Sequence, residues 1–376
     1  MTLQTLPPPI WVDQQQVYDL MLTDLSVQTR IAVDTESNSL HAYRERVCLI
    51  QFSTQKKDYV VDPLILQNLV SLRPIFSDPN IEKIFHAAEY DLICLKRDYD
   101  FTFANLFDTM QTARILGYSQ VGLDNLLAEK FGVKMDKRHQ KADWGARPLT
   151  LSQIDYARFD THYLFQLRDL LEKELREKER WEIAQEDFAL ACHVGELKER
   201  NSNGSLWKRF ASRKDLSLRE LTVVSELCVC RDQIAERLDR PIFKVIGDDT
   251  LLDIARKLPE KDVDLAGIGL SPKQIKLWGP ELLVAIQRGM EAPLVKRDQP
   301  KRPNDAVLRR LEKLKTWRKN LAREMSVDSD VVLPKMYLGM LSENPPGTLK
   351  DLEIAMHRSP TRFHKFGAEI YRLIGA

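Results

Sequence analysis

The sequence is poor in the residues that carry several common chemistries. Its 376 residues include five cysteines, an odd number without the paired spacing of a metal site: Cys48, Cys94, Cys192, Cys228 and Cys230. This argues against a disulfide framework and a zinc site, and we expect free thiols in a reducing compartment. The chain has 15 glycines, but no Gly-rich loop of the Walker type that would indicate a nucleotide phosphate site.

Long apolar runs are also missing. No stretch approaches the roughly 18 consecutive apolar residues that a membrane span requires, and the first residues, MTLQTLPPPI, lack the layout of a signal peptide. We therefore expect a cytoplasmic protein without a membrane partner. The length favours two or three domains, because a single hydrophobic core rarely grows beyond about 250–300 residues.

The net charge of +1 conceals a difference between the two halves of the chain. Residues 1–200 carry 24 basic and 31 acidic side chains, whereas residues 201–376 carry 32 and 24. Residues 301–320 alone carry eight basic and two acidic side chains. A basic half indicates a nucleic-acid partner, although solvated helix faces produce the same split.

The first half of the chain alternates between strand-like and helix-like segments. Residues 30–34, 46–52 and 59–61 are short β-type runs close together, which predicts an antiparallel meander. Further along, the pattern predicts helices at 64–76, at 89–99 and from 109, and strands at 81–85 and 105–107. This order favours an α/β domain with a mixed sheet flanked by helices.

From residue 151 onward the sequence predicts helices only. Polar stretches at 199–205 and 292–303 are typical of linkers. The two helical segments that follow them resemble each other at an offset of 87 residues, and the matches include an arginine, an alanine and a proline: Leu221 with Leu308, Arg231 with Arg318, Ala235 with Ala322, and Pro259 with Pro346. Chance rarely preserves so many residue types, so we predict domains at 1–200, 206–292 and 300–376, the last two being copies of one helical domain.

An acidic pair ends the first predicted strand. Asp34 and Glu36 lie two residues apart, so on a strand both carboxylates project from the same face. Two carboxylates just past a buried apolar strand cost free energy, through desolvation or mutual repulsion, unless a cation lies between them. Asp-x-Glu alone also fits a solvated turn, and Asp91, at the start of the predicted helix 89–99, also fits an ordinary helix N-terminus.

A further acidic residue interrupts an apolar helical stripe. One predicted helix face runs through Tyr156, Asp160, Leu164, Leu167 and Leu171, whereas four polar residues fall elsewhere and can face water: Asp155, Arg158, His162 and Asp169. A carboxylate on the buried face needs a metal, an arginine or several donors, and a buried structural ion pair is the alternative.

Together the four carboxylates Asp34, Glu36, Asp91 and Asp160 have no Cys or His companion, which favours Mg²⁺ or Mn²⁺ over Zn²⁺. Two such ions about 4 Å apart can activate a water and stabilise the leaving oxygen in phosphodiester hydrolysis.

These motifs resemble the DEDD exonuclease superfamily, whose members combine Asp-x-Glu, a second Asp, and Tyr-x-x-x-Asp or His-x-x-x-x-Asp. Position 155 is Asp rather than His, so the pair Tyr156 and Asp160 resembles the tyrosine subclass. The run from Asp143 to Leu149, Asp-Trp-Gly-Ala-Arg-Pro-Leu, is similar to the ribonuclease D family. The duplicated helical segments are similar to HRDC domains, the second copy more loosely, and the resemblance covers nearly the whole chain.

The resemblance implies an RNase H-like α/β exonuclease domain followed by two all-α HRDC-type domains. It implies a 3′→5′ exoribonuclease that releases nucleoside 5′-monophosphates, with two divalent ions, Mg²⁺ or Mn²⁺, held by Asp34, Glu36, Asp91 and Asp160. Tyr156 would orient the attacking water. The implied partner is RNA with a single-stranded 3′ end, usually a tRNA precursor in this family, and we expect a monomer. A DNA exonuclease and a catalytically silent RNA-binding protein are the alternatives.

Two segments that mix basic and aromatic residues are candidate RNA contacts. Arg138, Trp144 and Arg147 precede the third motif. The segment 301–319 includes three further candidates and a tryptophan that we expect to face its own core: Arg309, Arg310, Lys313 and Trp317. A mobile solvated loop and a plain charged helix surface explain the two segments almost equally well.

Overall fold

The computed structural model describes residues 7–66, 68–193, 206–297 and 304–375. The predicted linker at 199–205, and the part of the other linker at 298–303, lie outside the described residues. The chain divides into two compact units: residues 1–37, 47–196 and 302–376 form one, and residues 38–46 and 197–301 form the other.

A six-stranded mixed sheet forms the centre of the first unit. Its strands are β1 Ile10–Val12, β2 Arg30–Ser37, β3 Val47–Ser53, β4 Asp58–Val61, β5 Glu82–Phe85 and β6 Leu106–Asp108. The spatial order is β1-β4-β3-β2-β5-β6. β2 pairs antiparallel with β3, and β3 with β4, whereas the other three pairs are parallel. The predicted meander and mixed sheet are confirmed, and β1 was not predicted.

Eight α-helices accompany the sheet up to residue 193. They are α1 Gln15–Ser26, α2 Arg73–Ser77, α3 Glu89–Tyr99, α4 Thr109–Leu116, α5 Leu123–Phe131, α6 Leu151–His162, α7 Leu164–Glu177 and α8 Trp181–Ala191. The prediction of one helix over 64–76 was wrong, since the described residues of this stretch form only the short 3₁₀ turn Val70–Leu72 and α2. Pro74 lies in the first turn of α2, where the missing amide hydrogen costs least.

The stripe predicted through residues 156–171 belongs to two helices, because α6 ends at His162 and α7 begins at Leu164, with Tyr163 between them. Leu164, Leu167 and Leu171 of α7 are buried as predicted. The prediction that Arg158 faces water was wrong. Arg158 is buried because the Pro7 carbonyl accepts a hydrogen bond from its guanidinium and the Asp155 carboxylate lies 2.9 Å away.

The two helical copies have the same order of elements. The first helical repeat, residues 218–291, contains α9 Leu218–Arg237, α10 Ile242–Val245, α11 Asp248–Lys257, α12 Asp262–Ala266 and α13 Pro272–Glu291. The second helical repeat, residues 305–375, contains α14 Asp305–Met325, α15 Ser329–Val332, α16 Lys335–Glu343, α17 Leu349–Ala355 and α18 Pro360–Gly375. Within the described residues, no helix is both long and apolar enough to cross a membrane.

Positions shared by the two repeats form their cores. Leu227 and its equivalent Leu314 are both fully buried. The equivalent arginines also behave alike, because Arg231 donates to the Ile246 carbonyl at 3.0 Å and Arg318 to the Ser329 carbonyl at 2.6 Å. The sequence similarity between the copies therefore reflects one helical fold used twice.

The second helical repeat packs on α4 and α8 within the first unit. Arg362 of α18 is fully buried and contacts the carboxylates of Glu186 and Asp187 on α8 at 2.9 and 2.8 Å. Arg114 of α4 lies 2.6 Å from Asp330. This docking was not predicted from the sequence, in which the region 300–376 was expected only as a further domain.

Candidate active site

β2 places two carboxylates at one point of the sheet. The strand buries Ile31, Ala32 and Val33 completely and is then partly exposed from Asp34 onward. Asp34 pairs opposite Gln51 of β3 and Glu36 opposite Leu49. Since residues two apart on a strand share a face, both acidic side chains project towards the side of the sheet that α6 covers.

The C-terminal end of α6 is anchored to the sheet by polar contacts. The Ser53 hydroxyl of β3 lies 2.7 Å from the Thr161 hydroxyl of α6 and donates to Asp58 at 2.7 Å. His162 Nδ1 lies 2.8 Å from the same Asp58 carboxylate. These contacts fix how far α6 extends over β3, and therefore where Asp160 projects.

Three carboxylates converge as a result. One carboxylate oxygen from each of Asp34, Glu36 and Asp160 lies within 4.8 Å of the other two. Among the described residues no histidine or cysteine joins this group. A purely oxygen donor set of high negative charge suits a hard divalent cation such as Mg²⁺ or Mn²⁺, so these residues fit the predicted metal site.

Asp91 lies beside these three residues. It is buried in the first turn of α3 and accepts a hydrogen bond from the Thr35 hydroxyl, between Asp34 and Glu36 on β2. The structure thus brings all four predicted carboxylates together, with Asp91 linked through Thr35. Thr35 was missed in the sequence, where its place within Asp-Thr-Glu was the available signal.

Burial raises the pKa of every carboxyl in the cluster, to about 7 for Asp91 and Asp160 and well above the ordinary range for Asp34 and Glu36. Repulsion adds to this, because the charges of Asp91 and Asp160 further raise the pKa values of Asp34 and Glu36. Ionising all four carboxylates in this space is therefore unfavourable without a cation. Metal binding here would therefore release protons.

Tyr156 lies one helical turn before Asp160. Its ring stacks on Trp144 with centroids 5.9 Å apart, and the His139 ring approaches edge-on at 5.9 Å. Burial, followed by the charges of Asp160 and Glu36, raises the Tyr156 pKa well above its ordinary value. The phenol therefore keeps its proton at neutral pH and can donate a hydrogen bond.

The predicted RNA contacts before α6 have different environments. Trp144 is buried against Tyr156, and Arg147 donates to both oxygens of buried Asp62 at 2.6 and 2.9 Å. Both side chains thus hold the segment leading into α6. Arg138 is exposed and pairs with Asp136 at 2.6 Å, so it is the one of these three whose surroundings fit contact with RNA.

The basic candidates on α14 are distant in sequence from the acidic cluster. Arg309 and Lys313 are exposed, whereas Arg310 donates to the Ser342 carbonyl at 2.9 Å. Trp317 is buried in the core of the second helical repeat, as expected.

Sequence reasoning missed the polar residues beneath α6. Gln51 and Ser53 occupy alternate positions of an otherwise apolar strand, Val-Cys-Leu-Ile-Gln-Phe-Ser. That alternation was the signal that one face of β3 meets a polar site. His162, predicted to face water, instead contacts Asp58.

Comparison with protein families matches residues 9–176 to a family described as 3′-5′ exonuclease. Residues 220–286 and 307–374 each match the HRDC domain. The two HRDC matches begin 87 residues apart and end 88 residues apart. The helical duplication predicted from the sequence is thereby confirmed.

Curated relatives include the exosome complex exonuclease RRP6 of Saccharomyces cerevisiae, 35% identical over 274 residues, which are 69% of this chain and 37% of that protein. Protein RRP6-like 1 of Arabidopsis thaliana is 34% identical over 273 residues, covering 68% of this chain and 42% of that protein. The chain spans 30% to 42% of the length of the curated relatives it matches.

Similar solved structures include the catalytic core of RRP6 from Trypanosoma brucei, with a TM-score of 0.66 and 28% identity over 78% of this chain and 82% of that chain. Escherichia coli RNase D has a TM-score of 0.71 and 22% identity, with 98% of each chain covered. The latter match shows that the fold is shared over almost the whole length.

Proposed function

Because the chain belongs to the 3′-5′ exonucleases of the DEDD superfamily with C-terminal HRDC domains, we propose that it is a metal-dependent 3′→5′ exoribonuclease. It would hydrolyse the 3′-terminal phosphodiester bond of RNA and release nucleoside 5′-monophosphates. The observation that carries the proposal is the convergence of Asp34, Glu36 and Asp160 within 4.8 Å beside Tyr156.

Asp34, Glu36, Asp91 and Asp160 would hold two divalent ions, Mg²⁺ or Mn²⁺. When bound, such ions lower the pKa of water and stabilise charge on the leaving oxygen. The chain supplies the rest. The Tyr156 hydroxyl would orient the attacking water, and Trp144 keeps the Tyr156 ring in place by stacking on it. Anchoring of α6 through Asp58 keeps Asp160 opposite β2.

The proposed substrate is RNA with a single-stranded 3′ end, tRNA precursors included. Support comes from the RRP6 relatives, one of which is named an exosome complex exonuclease. We propose a cytoplasmic location, because the five cysteines of the sequence lack the paired spacing of a disulfide framework. We propose a monomer, which light scattering of the purified chain tests directly.

A gel time course on 5′-labelled RNA with a single-stranded 3′ tail tests the function. We expect a ladder that shortens from the 3′ end with Mg²⁺ or Mn²⁺ and stops with EDTA. Asp34→Asn should abolish the ladder, whereas the matched control Asp100→Asn, on a side chain that is 84% exposed, should leave it unchanged.

DNA of the same sequence is run in parallel. A strong preference for DNA would contradict the substrate, and bound RNA that is never shortened would contradict the enzymatic function.

A further inference from the structure

Gln51 of β3 is a buried polar residue without a hydrogen-bond partner. Its side chain is 0% exposed, and within the described residues neither Oε1 nor Nε2 of the amide meets a donor or acceptor. Buried amides are normally paired, because burial removes their hydrogen bonds to water without replacement. The unpaired amide therefore lowers the stability of the metal-free fold.

The register of the sheet places Gln51 beside the acidic cluster. It lies directly opposite Asp34 on β2 and opposite the apolar Val60 on β4. Directly opposite residues of antiparallel strands project from the same face, with Cβ atoms about 5 Å apart. The next residue on that face, Ser53, contacts α6 through Thr161, so the Gln51 amide lies in the layer between β3 and α6.

Asp34 lies among negative charges. One of its carboxylate oxygens is within 4.8 Å of an oxygen of Glu36 and of Asp160, and the Thr35 backbone amide donates to the Asp34 carboxylate. Carboxylates that ligate a metal are normally also hydrogen-bonded by a neighbouring group. The Nε2 group of Gln51 carries two N–H donors on the same face of the sheet.

We propose that Gln51 is a positioning residue of the metal centre, whose Nε2 donates to the Asp34 carboxylate, directly or through one water, when the cation is bound. The amide thereby fixes the orientation of the oxygen that ligates the cation. This inference rests on the metal site of the proposed function. Removing a hydrogen-bond partner of a metal ligand typically weakens metal affinity about 10- to 100-fold.

The test substitutes Gln51→Met, which keeps the length of the side chain and removes the amide. Leu49→Met is the matched control, since Leu49 is buried two residues away on the same face of β3. Mn²⁺ affinity is measured by calorimetric titration, and the stability of the metal-free protein by thermal unfolding.

Gln51→Met should bind Mn²⁺ about 10- to 100-fold more weakly than the wild type, while Leu49→Met binds it normally. Without metal, Gln51→Met should unfold at the same temperature as the wild type or higher, because no hydrogen bond is lost.

Unchanged Mn²⁺ affinity in Gln51→Met would overturn the inference. A metal-free unfolding temperature below that of Leu49→Met would also overturn it, because the amide would then be paired without a cation. These results differ from a failure of the proposed function, in which the wild type itself binds no Mn²⁺.

Discussion

Arg362 provides a quantitative test of how the second helical repeat is attached to the exonuclease domain. Its guanidinium is fully buried, lies 2.9 and 2.8 Å from the carboxylates of Glu186 and Asp187, and donates to the Val331 carbonyl at 2.9 Å. Removing one partner of a buried ion pair costs about 3–5 kcal/mol, because the remaining charge is left uncompensated. Arg362→Met leaves two carboxylates without their partner, so we expect the free energy of unfolding to fall by an amount near the upper end of this range.

Urea unfolding followed by circular dichroism measures the change in the free energy of unfolding. Arg358→Met is the matched control, because Arg358 is exposed four residues earlier, and it should change stability by less than about 0.5 kcal/mol. A triple variant that also carries Glu186→Leu and Asp187→Leu removes the uncompensated charges. It should recover most of the stability lost in Arg362→Met.

A loss below about 1 kcal/mol in Arg362→Met would refute the reasoning, because a buried pair of this kind costs more to break. A triple variant less stable than Arg362→Met would refute it as well. Deletion of residues 296–376 would leave the same two carboxylates, those of Glu186 and Asp187, without Arg362. Weaker RNA binding after this deletion would therefore reflect lost stability as well as lost contacts with RNA.

The acidic cluster makes three more outcomes measurable. Because burial raises the pKa of Asp91 and Asp160 from 3.8 to about 7, the stability that they contribute is complete below about pH 4 and is lost as the pH rises through 7. The metal-free protein should therefore unfold at a temperature several degrees lower at pH 8 than at pH 5. Millimolar Mg²⁺ should reduce this difference. An unfolding temperature that does not change with pH in the absence of metal would contradict the pKa shifts. Asp160→Asn removes one repelling charge, so it should raise the metal-free unfolding temperature at pH 8 while abolishing turnover, and near-normal turnover would contradict the metal site. Tyr156→Phe should slow single-turnover hydrolysis about 100-fold, as expected when a water is misplaced, with Mn²⁺ affinity unchanged; an unaltered rate would remove Tyr156 from the mechanism.

The acidic motifs could be predicted because their signals are local. Asp34 and Glu36 share a face by strand alternation, and Asp160 stands where an apolar residue belongs. The interruption of the helix at Tyr163 could not be predicted, since no proline or glycine marks it and the apolar spacing continues across it. Arg158 was misplaced for a related reason, because its partner, the Pro7 carbonyl, is distant in sequence.

The docking of the second helical repeat shows why a duplicated sequence does not predict the surroundings of each copy. The equivalent of Arg362 in the first helical repeat is Gln274, since both follow a Ser-Pro pair at the start of the last helix. Each side chain donates to a carbonyl of the second helix of its own repeat, Gln274 to Val245 of α10 at 3.1 Å and Arg362 to Val331 of α15 at 2.9 Å. Only the arginine carries a charge and the reach to contact Glu186. A polar position outside the shared core therefore supplies the contact of the second helical repeat with α8.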